Sequence, residues 1–386
     1  MQQLKVLVFS AAFGNGHLRA AEAVIEGIIL KHPSAKIIHL DFGDFLNQPL
    51  NTFIKSSYSK LIKYIPKLWG RFYYKTAKVQ PLSRSQHILH QLGRREYLKY
   101  IRTFKPDFIV CTYPTISSIL AQLRLEQVLQ VPVITVITDY TVHSHWVHPG
   151  VDGYIVACTE VKESLASWGI KAQRIHVTGI PVSLKFEGEM ERGYLRTKLG
   201  LKSGLPTFLV MGGSYGVLKS AKRICKKLAD SLPPVQTIIV CGKNKKLYHS
   251  LEDVIEQGRN TMIRLEFVDN VEELMSVSDL IITKAGGLTV SEALTKHLPL
   301  VIYKPIPGQE EENAHFVQHI GAGFVAGNEK ELKQILNRFI RHPEDIEKMR
   351  RKAALALPGH STERAVDAML ELASNLRKDR ISMRNV

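Results

Sequence analysis

The turn Gly14-Asn15-Gly16-His17 lies between a short apolar run, residues 4–12, and a segment whose apolar residues have helical spacing. A glycine turn ahead of a helix leaves backbone N–H groups free at the positive end of the helix dipole. Because that dipole disfavours imidazolium, we expect His17 to be neutral, as a general base must be. The alternative is a tight structural turn in which the histidine acts as a cap.

The same turn matches nucleotide-binding motifs poorly. Arg19 stands where a dinucleotide fingerprint has its third glycine, and the lysine of a P-loop is missing. We therefore expect most nucleotide recognition elsewhere. Gly16 is expected to clear space at the helix start, where a substrate can approach the backbone and His17 closely.

Two glycine turns in the second half of the chain are the better candidates for nucleotide binding. A Gly-Gly-Ser turn offers N–H groups and a hydroxyl to a diphosphate, and an acidic side chain one turn into a helix can accept hydrogen bonds from ribose. The simpler explanations are an ordinary strand–helix turn and an acid that favours the helix dipole. The residues are Gly212, Gly213 and Ser214 in the first turn, and Gly286, Gly287 and Glu292 in the second.

Residues 304–313 form the most unusual stretch, because two prolines stiffen it and amide and carboxylate side chains follow. Such side chains both donate to and accept from hydroxyl groups. We interpret Gln309, Glu310 and Asn313 as sugar-binding, since they follow a strand, where open α/β sheets bind ligands. The alternative is a solvated acidic helix start.

Residues 139–148 also follow a strand and contain three histidines. Their spacing lies in a loop without a carboxylate pattern, so we expect no metal site. An acceptor-binding or second acid/base role for Asp139, His143 or His145 is the preferred interpretation. A purely structural role is the alternative for each.

The charge distribution is one-sided, because residues 45–95 hold ten Lys and Arg and no Asp or Glu, in a chain of net charge +16. On a helical wheel, one arc is basic and the opposite arc is apolar and aromatic, with Pro66 dividing the segment. This pattern predicts a helix that binds an anionic membrane surface. The alternatives are a crossover helix packed on the sheet, or nucleic acid, which no recognition motif supports. The candidate contacts are Lys60, Lys63, Lys67, Trp69, Arg71 and Phe72.

The elements that must position these residues alternate between β-branched apolar runs and helical segments. With 386 residues, the chain is expected to form two doubly wound α/β domains with a cleft between them. The expected bounds are 1–185, 205–365 and a C-terminal helix or tail at 366–386. Four scattered cysteines indicate a reducing compartment, and neither a signal peptide nor a membrane-spanning run is found.

Seven segments in register resemble the bacterial diacylglycerol glucosyltransferases, which are related to plant monogalactosyldiacylglycerol synthases and more distantly to MurG. They are GNGH, TDYTVHSHWVHP, VTGIPV, GGSYGVLK, IIVCGKN, ITKAGGLTVSEA and YKPIPGQEEENA. One departure is Tyr215, where MurG-like chains carry Gln, so we assign no phosphate or base contact to it. The resemblance implies an α/β fold of the GT-B type and an inverting transferase that needs neither a cofactor nor a divalent metal.

The resemblance also implies the substrates. Glucose would pass from UDP-glucose, held by the second domain, to diacylglycerol, held by the first, and then to the glycolipid product, forming membrane glycolipid and the anchor of lipoteichoic acid. His17 would be the base, Glu292 would hold ribose, Gln309 and Glu310 the sugar, and both second-half glycine turns the nucleotide and diphosphate. The enzyme would lie peripherally on the cytoplasmic membrane face, bound to anionic lipids and not to nucleic acid. UDP-galactose, UDP-N-acetylglucosamine and a regulatory UDP-sugar-binding role are the alternatives.

Overall fold

In the computed structural model, the described residues are 3–12, 14–45, 52, 56–57, 61, 64–77, 79, 93–212, 218, 220–357 and 359–384, with side chains described to residue 378. They form two compact units. The first comprises residues 1–184, 307–309 and 358–386, and the second comprises residues 185–306 and 310–357. The sequence-based bounds stay predictions, but residues from 358 onward cluster with the first unit.

The first unit contains a six-stranded parallel sheet in the order β2-β1-β3-β4-β5-β6. Its strands read as nearly unbroken apolar runs because helices cover both faces, as in other parallel sheets. The strands are β1 (Lys5–Ser10), β2 (Lys36–Asp41), β3 (Phe108–Cys111), β4 (Val133–Val136), β5 (Gly153–Val156) and β6 (Ile175–Val177).

The second unit contains another six-stranded parallel sheet, in the order β12-β11-β10-β7-β8-β9. The two sheets confirm the predicted pair of doubly wound, Rossmann-like domains. The strands are β7 (Thr207–Met211), β8 (Gln236–Val240), β9 (Met262–Leu265), β10 (Leu280–Thr283), β11 (Leu300–Tyr303) and β12 (Gly323–Ala326).

The described helices connect these strands and cover the sheets. They are α1 (Asn15–Lys31), α2 (Pro66–Thr76), α3 (Arg94–Phe104), α4 (Pro114–Leu125), α5 (Thr159–Ser167), α6 (Arg192–Lys198), α7 (Ala221–Ala229), α8 (Lys245–Ser250), α9 (Glu252–Gln257), α10 (Val271–Val277), α11 (Gly287–Thr295), α12 (Gln309–His319), α13 (Glu329–Arg341), α14 (Pro343–Ala356) and α15 (Ser361–Arg384). None of the helices in the described ranges combines the length and hydrophobicity needed to cross a bilayer.

The last helix, α15, completes the core of the first unit. Its residues Ala365, Val366 and Met369 are fully buried together with strand and α1 side chains on one face of the first sheet. Gly27 of α1 permits this close packing, because a Cβ there would lie 2.8 Å from Thr362 Cγ2 and 2.9 Å from Val366 Cγ2. Helix α15 is therefore a structural part of the first unit.

The contact predicts the effect of a single methyl group. Gly27→Ala should destabilise the first unit by about 1–3 kcal/mol through overpacking, although alanine favours a helix by about 1 kcal/mol over glycine. Gly193→Ala is the control, since a Cβ on this α6 glycine meets nothing within 4 Å. Urea unfolding of both variants checks the prediction, and a Gly27→Ala protein as stable as wild type would contradict it.

Candidate functional site

The strand order of the first sheet reverses between β1 and β3, and the His17 turn follows β1. In open α/β sheets, such a reversal opens a crevice at the carboxyl ends of the strands, where ligands bind. Gly14 enters the turn with φ 85° and ψ 160°, a conformation that glycine adopts readily. A Cβ on Gly14 or Gly16 would meet no atom of the described residues within 4 Å, so they leave the space beside this backbone open.

His17 is the third residue of α1 and is held from the ends of two further strands. Its Nδ1 lies 3.0 Å from Oγ1 of Thr138, which follows β4. The Thr112 hydroxyl, after β3, donates to the backbone oxygen of His17 over 2.8 Å. The rings of Tyr113 and Trp146 also contact the imidazole, with centroid distances of 5.2 and 6.1 Å. The strand ends therefore fix both the backbone and the ring.

Burial lowers the pKa of His17 from 6.5 to about 4, and a hydrogen bond with the Thr112 backbone opposes this shift in part. The neutral ring expected from the helix dipole is thus the form present at pH 7, but burial is the main cause. The ring can accept a proton in this state. Its basicity is low, so the proton must come from a group that becomes acidic during the reaction.

His143 has a different role from His17, because both of its ring nitrogens bind other parts of the first unit. Its Nδ1 accepts from the His145 N–H over 3.2 Å, which places the proton on Nε2. That Nε2 donates to the Tyr73 carbonyl over 3.2 Å and lies 3.2 Å from Thr76 Oγ1. Ser144 Oγ donates to the Thr76 carbonyl over 2.9 Å. These bonds attach α2 to the turn at residues 143–146, so His143 is structural.

The other two candidates in this loop lie nearby. Asp139 follows β4 and is half-buried. The ring of His145 packs against that of His143 at 4.6 Å, and burial lowers its pKa. The residue of this turn that contacts His17 is Trp146, which the sequence analysis did not single out. The acid/base roles of Asp139 and His145 stay predictions.

In helix α2, some residues of the predicted apolar arc are buried and others are exposed. Gly70 and Tyr73 face inward, whereas Ile65, Leu68 and Phe72 are 53, 51 and 51% exposed. Lys67, Arg71 and Lys75 are also exposed, whereas Trp69 is half-buried. The predicted apolar arc is therefore partly covered, because Tyr73 packs on His143, and partly exposed at Leu68 and Phe72. Lys60 and Lys63 lie outside the described residues.

In the second unit the strand order reverses between β7 and β10, and a glycine turn follows each of these strands. Gly212 directly follows β7, and Gly213 and Ser214 lie outside the described residues. Gly286 and Gly287 begin α11, on which Glu292 is half-buried. Gly212 and the Gly286–Gly287 turn therefore lie at the position where a sheet of this topology binds ligands.

Two of the predicted sugar-binding side chains support loops of the second unit. Asn313 is fully buried, and its Nδ2 donates to the Ala285 carbonyl over 3.0 Å, just ahead of the α11 turn. Glu310 Oε2 accepts from the Ile306 N–H over 2.9 Å. Gln309 is the first residue of α12. Sugar contacts by these residues stay predictions.

Sequence reasoning also missed an exposed aromatic residue in the second unit. Phe267 is 46% exposed and follows β9, and Lys243 Nζ, from the segment after β8, lies 5.7 Å from its ring centroid. Exposed aromatic residues beside cations suit a nucleotide base and its phosphates. The signal in the sequence was an aromatic residue two positions after a strand.

Comparisons with known proteins agree with these two units. The family model for monogalactosyldiacylglycerol (MGDG) synthase matches residues 17–182, and that for the glycosyltransferase family 28 C-terminal domain matches residues 207–369. The processive diacylglycerol beta-glucosyltransferase of Bacillus pumilus is 31% identical over 95% of this chain and 94% of its own. That of Bacillus subtilis is 30% identical over 90% of each chain.

The chain belongs to the diacylglycerol β-glucosyltransferase family. It is accordingly a glycosyltransferase, as its resemblance predicted. Solved structures confirm a GT-B fold: MurG of Acinetobacter baumannii has a TM-score of 0.62 at 16% identity, covering 95% of this chain and 99% of that one.

The same fold serves more than one reaction. Anabaena HepE in complex with UDP-glucose gives a TM-score of 0.52 at 16% identity, covering 98 and 100% of the two chains. A UDP-GlcNAc 2-epimerase from Neisseria meningitidis gives 0.57 at 16% identity, covering 95 and 100%. At such identity these likenesses show the fold alone, and the family assignment depends on the relatives.

The buried His143 predicts how stability depends on pH. Burial, and secondly the neighbouring His145, lower its pKa from 6.5 to about 4. Below pH 6.5 the unfolded chain therefore binds a proton that the folded protein does not, and stability falls as the pH drops towards 4. In His143→Asn this loss should be smaller by about 3 kcal/mol.

Urea unfolding at pH 7, 6, 5 and 4 measures the effect. The control is His32→Asn, which replaces an exposed histidine of the first unit. Each variant is compared by how its free energy of unfolding changes with pH. Hydrogen bonds that the substitution removes at every pH therefore do not affect the comparison. Equal slopes for His143→Asn and wild type would show that the proposed cause is wrong.

Proposed function

We propose that this enzyme transfers glucose from UDP-glucose to the sn-3 hydroxyl of diacylglycerol with inversion at the anomeric carbon. The observation that carries the proposal is the neutral, half-buried His17 beside an open glycine turn, in a chain 31% identical to a processive diacylglycerol beta-glucosyltransferase over 95% of its length. The donor binds the turns that flank the strand-order reversal of the second unit. The acceptor binds at the His17 turn of the first unit.

The reaction forms one bond and breaks another. The acceptor oxygen bonds to the anomeric carbon as the bond between that carbon and the diphosphate oxygen breaks, and UDP leaves. The hydroxyl proton passes to Nε2 of His17. The hydroxyl becomes acidic as its oxygen bonds to an electron-poor carbon, so an imidazole of low basicity suffices.

The chain's own groups stabilise the leaving diphosphate in this proposal. Backbone N–H groups at the start of α11 and the positive end of its dipole point towards developing negative charge. We therefore propose that no divalent metal and no cofactor take part. Phe267 stacks on the uracil, and the half-buried Glu292 accepts hydrogen bonds from the ribose.

We propose that α2 holds the first unit on the cytoplasmic face of the membrane. Its exposed cations attract anionic lipids, each by about 1 kcal/mol, while the bordering Leu68 and Phe72 enter the interface. Nucleic acid is a poorer partner for this surface, because the cations border exposed aliphatic and aromatic side chains. The four cysteines, all buried and free, suit the reducing cell interior where UDP-sugars are made. A glycolipid product held at this surface stays available for a second transfer.

The decisive experiment supplies radiolabelled UDP-glucose to the purified enzyme with diacylglycerol in vesicles that contain phosphatidylglycerol, in the presence of EDTA. We expect glucosyldiacylglycerol and a diglucosyl product. Parallel reactions with UDP-galactose and UDP-N-acetylglucosamine identify the donor. Binding of UDP-glucose without product from any donor would favour the regulatory alternative and overturn the proposal.

Replacing the base should remove most turnover. His17→Gln should lower kcat by about 10²- to 10⁴-fold, the usual contribution of a general base. His32→Gln, at the exposed end of the same helix, is the control. In wild type, the acidic limb of kcat/KM against pH should lie near 4 and not near 6.5, because burial lowers the pKa of His17 to about 4. Turnover of His17→Gln close to wild type would exclude this base.

Removing the charges of α2 should weaken membrane binding. The triple variant of Lys67, Arg71 and Lys75 to Gln should lose about 3 kcal/mol of affinity for anionic vesicles, or about 100-fold. The control replaces Lys222, Arg223 and Lys226 of α7, which are also exposed and carry the same total charge. Co-sedimentation with vesicles measures both. Equal losses would mean that net charge, and not α2, governs binding.

A further inference from the structure

The hydrogen bond from His17 to Thr138 determines which ring nitrogen can act as a base. A neutral imidazole carries one proton, and the partner of one nitrogen decides whether the other is free. Oγ1 of Thr138 lies 3.0 Å from Nδ1. If Nδ1 holds the proton and donates it to Oγ1, the lone pair of Nε2 is free. If the hydroxyl donates instead, Nε2 carries the proton and cannot accept one.

Thr138 can favour one tautomer of the His17 ring because its own side chain is buried. Its side chain is 4% exposed at the end of β4, so water does not readily replace it as a partner. The Thr112 hydroxyl bonds the backbone of the same histidine over 2.8 Å and limits the movement of the turn. Packing of Tyr113 and Trp146 against the ring limits its rotation. The ring also makes a hydrogen bond with the Thr112 backbone, which raises its pKa as a bond donated by the ring does. These contacts leave the ring little freedom to turn, so Thr138 stays beside Nδ1.

We propose that Thr138 is a positioning residue that accepts the Nδ1 proton of His17 and thereby keeps Nε2 free for the acceptor hydroxyl. This inference rests on the proposed role of His17 as the base. In many hydrolases a carboxylate orients the catalytic histidine and stabilises its charged form. Here a neutral hydroxyl orients the ring without adding negative charge, which agrees with the low pKa of His17.

The neutral partner has a consequence for the reaction cycle. After His17 takes the acceptor proton, the ring is an imidazolium with Nδ1–H still bonded to Thr138. No carboxylate at this bond holds the charge, so the ring releases its proton readily once the product has formed. Thr138 therefore favours a ring that is neutral before each transfer.

The test reads the tautomer directly. In protein with ¹⁵N-labelled histidine, long-range ¹H–¹⁵N spectra separate a protonated from an unprotonated ring nitrogen, and the spectrum of His17→Gln identifies the His17 signals. We expect a protonated Nδ1 and an unprotonated Nε2 in wild type. Thr138→Val, which keeps the shape and removes the hydroxyl, should shift or mix the tautomers. Thr138→Ser should restore the wild-type spectrum.

Kinetics give the second readout. Thr138→Val should lower kcat about ten- to hundredfold with KM for UDP-glucose nearly unchanged, and Thr138→Ser should recover most of this loss. Thr178→Val is the matched control, because Thr178 also follows a strand of the first sheet and is likewise 4% exposed. Thermal unfolding of each variant verifies that it is folded.

Three outcomes would overturn the proposal. They are an unprotonated Nδ1 in wild type, an unchanged tautomer in Thr138→Val, and a loss of kcat in Thr138→Val that Thr138→Ser does not recover. Failure of the proposed function is distinguishable from these. If wild type forms no glycolipid from any UDP-sugar while Nδ1 is protonated and depends on Thr138, the transferase assignment fails and the bond stands.

Discussion

The reversal of strand order in each sheet is the constraint on which the rest of the structure depends. Where neighbouring strands lead into helices on opposite faces, no crossover covers their carboxyl ends. In the first sheet this position separates β1 from β3, and in the second it separates β7 from β10. Glycines follow strands at both positions, at Gly14 and Gly16 in the first unit and at Gly212 and Gly286 in the second. The strand order thus leaves the backbone at these strand ends accessible to a ligand, and glycines add no side chain that would block it.

The environment of His17 combines two requirements that oppose each other. Packing between strand ends holds the ring in place, but the partial loss of solvent also lowers the basicity of the imidazole. A carboxylate beside the ring would restore basicity. The printed contacts of the ring are instead with a hydroxyl and aromatic side chains, so its orientation depends on neutral groups. Such a site accepts a proton only when the chemistry makes that proton acidic.

Much of the fold could be predicted from the sequence, because buried parallel strands and glycine turns leave local patterns. The two domains, the turns after their strands and the family followed from such patterns. The partners of His17 could not be predicted, since Thr112 and Thr138 lie about 100 residues away. The order of the strands in the sheet brings Thr112 to the backbone of His17 and Thr138 to its ring. The helical wheel of α2 has a related limit. It separates polar from apolar residues, but it does not show which apolar residues pack against the rest of the protein.

The packing of α15 has a consequence for synthesis of the chain. Ala365, Val366 and Met369 fill one face of the first sheet, yet the ribosome makes them after the whole second unit. The second unit is a continuous segment apart from the short insertion at residues 307–309, so it can fold during translation. The first unit begins the chain but lacks part of its core until the last helix emerges. Helix α1 covers part of the apolar face of β1, β3 and β4, and the rest stays uncovered until α15 is made, so the N-terminal unit is the last to be completed.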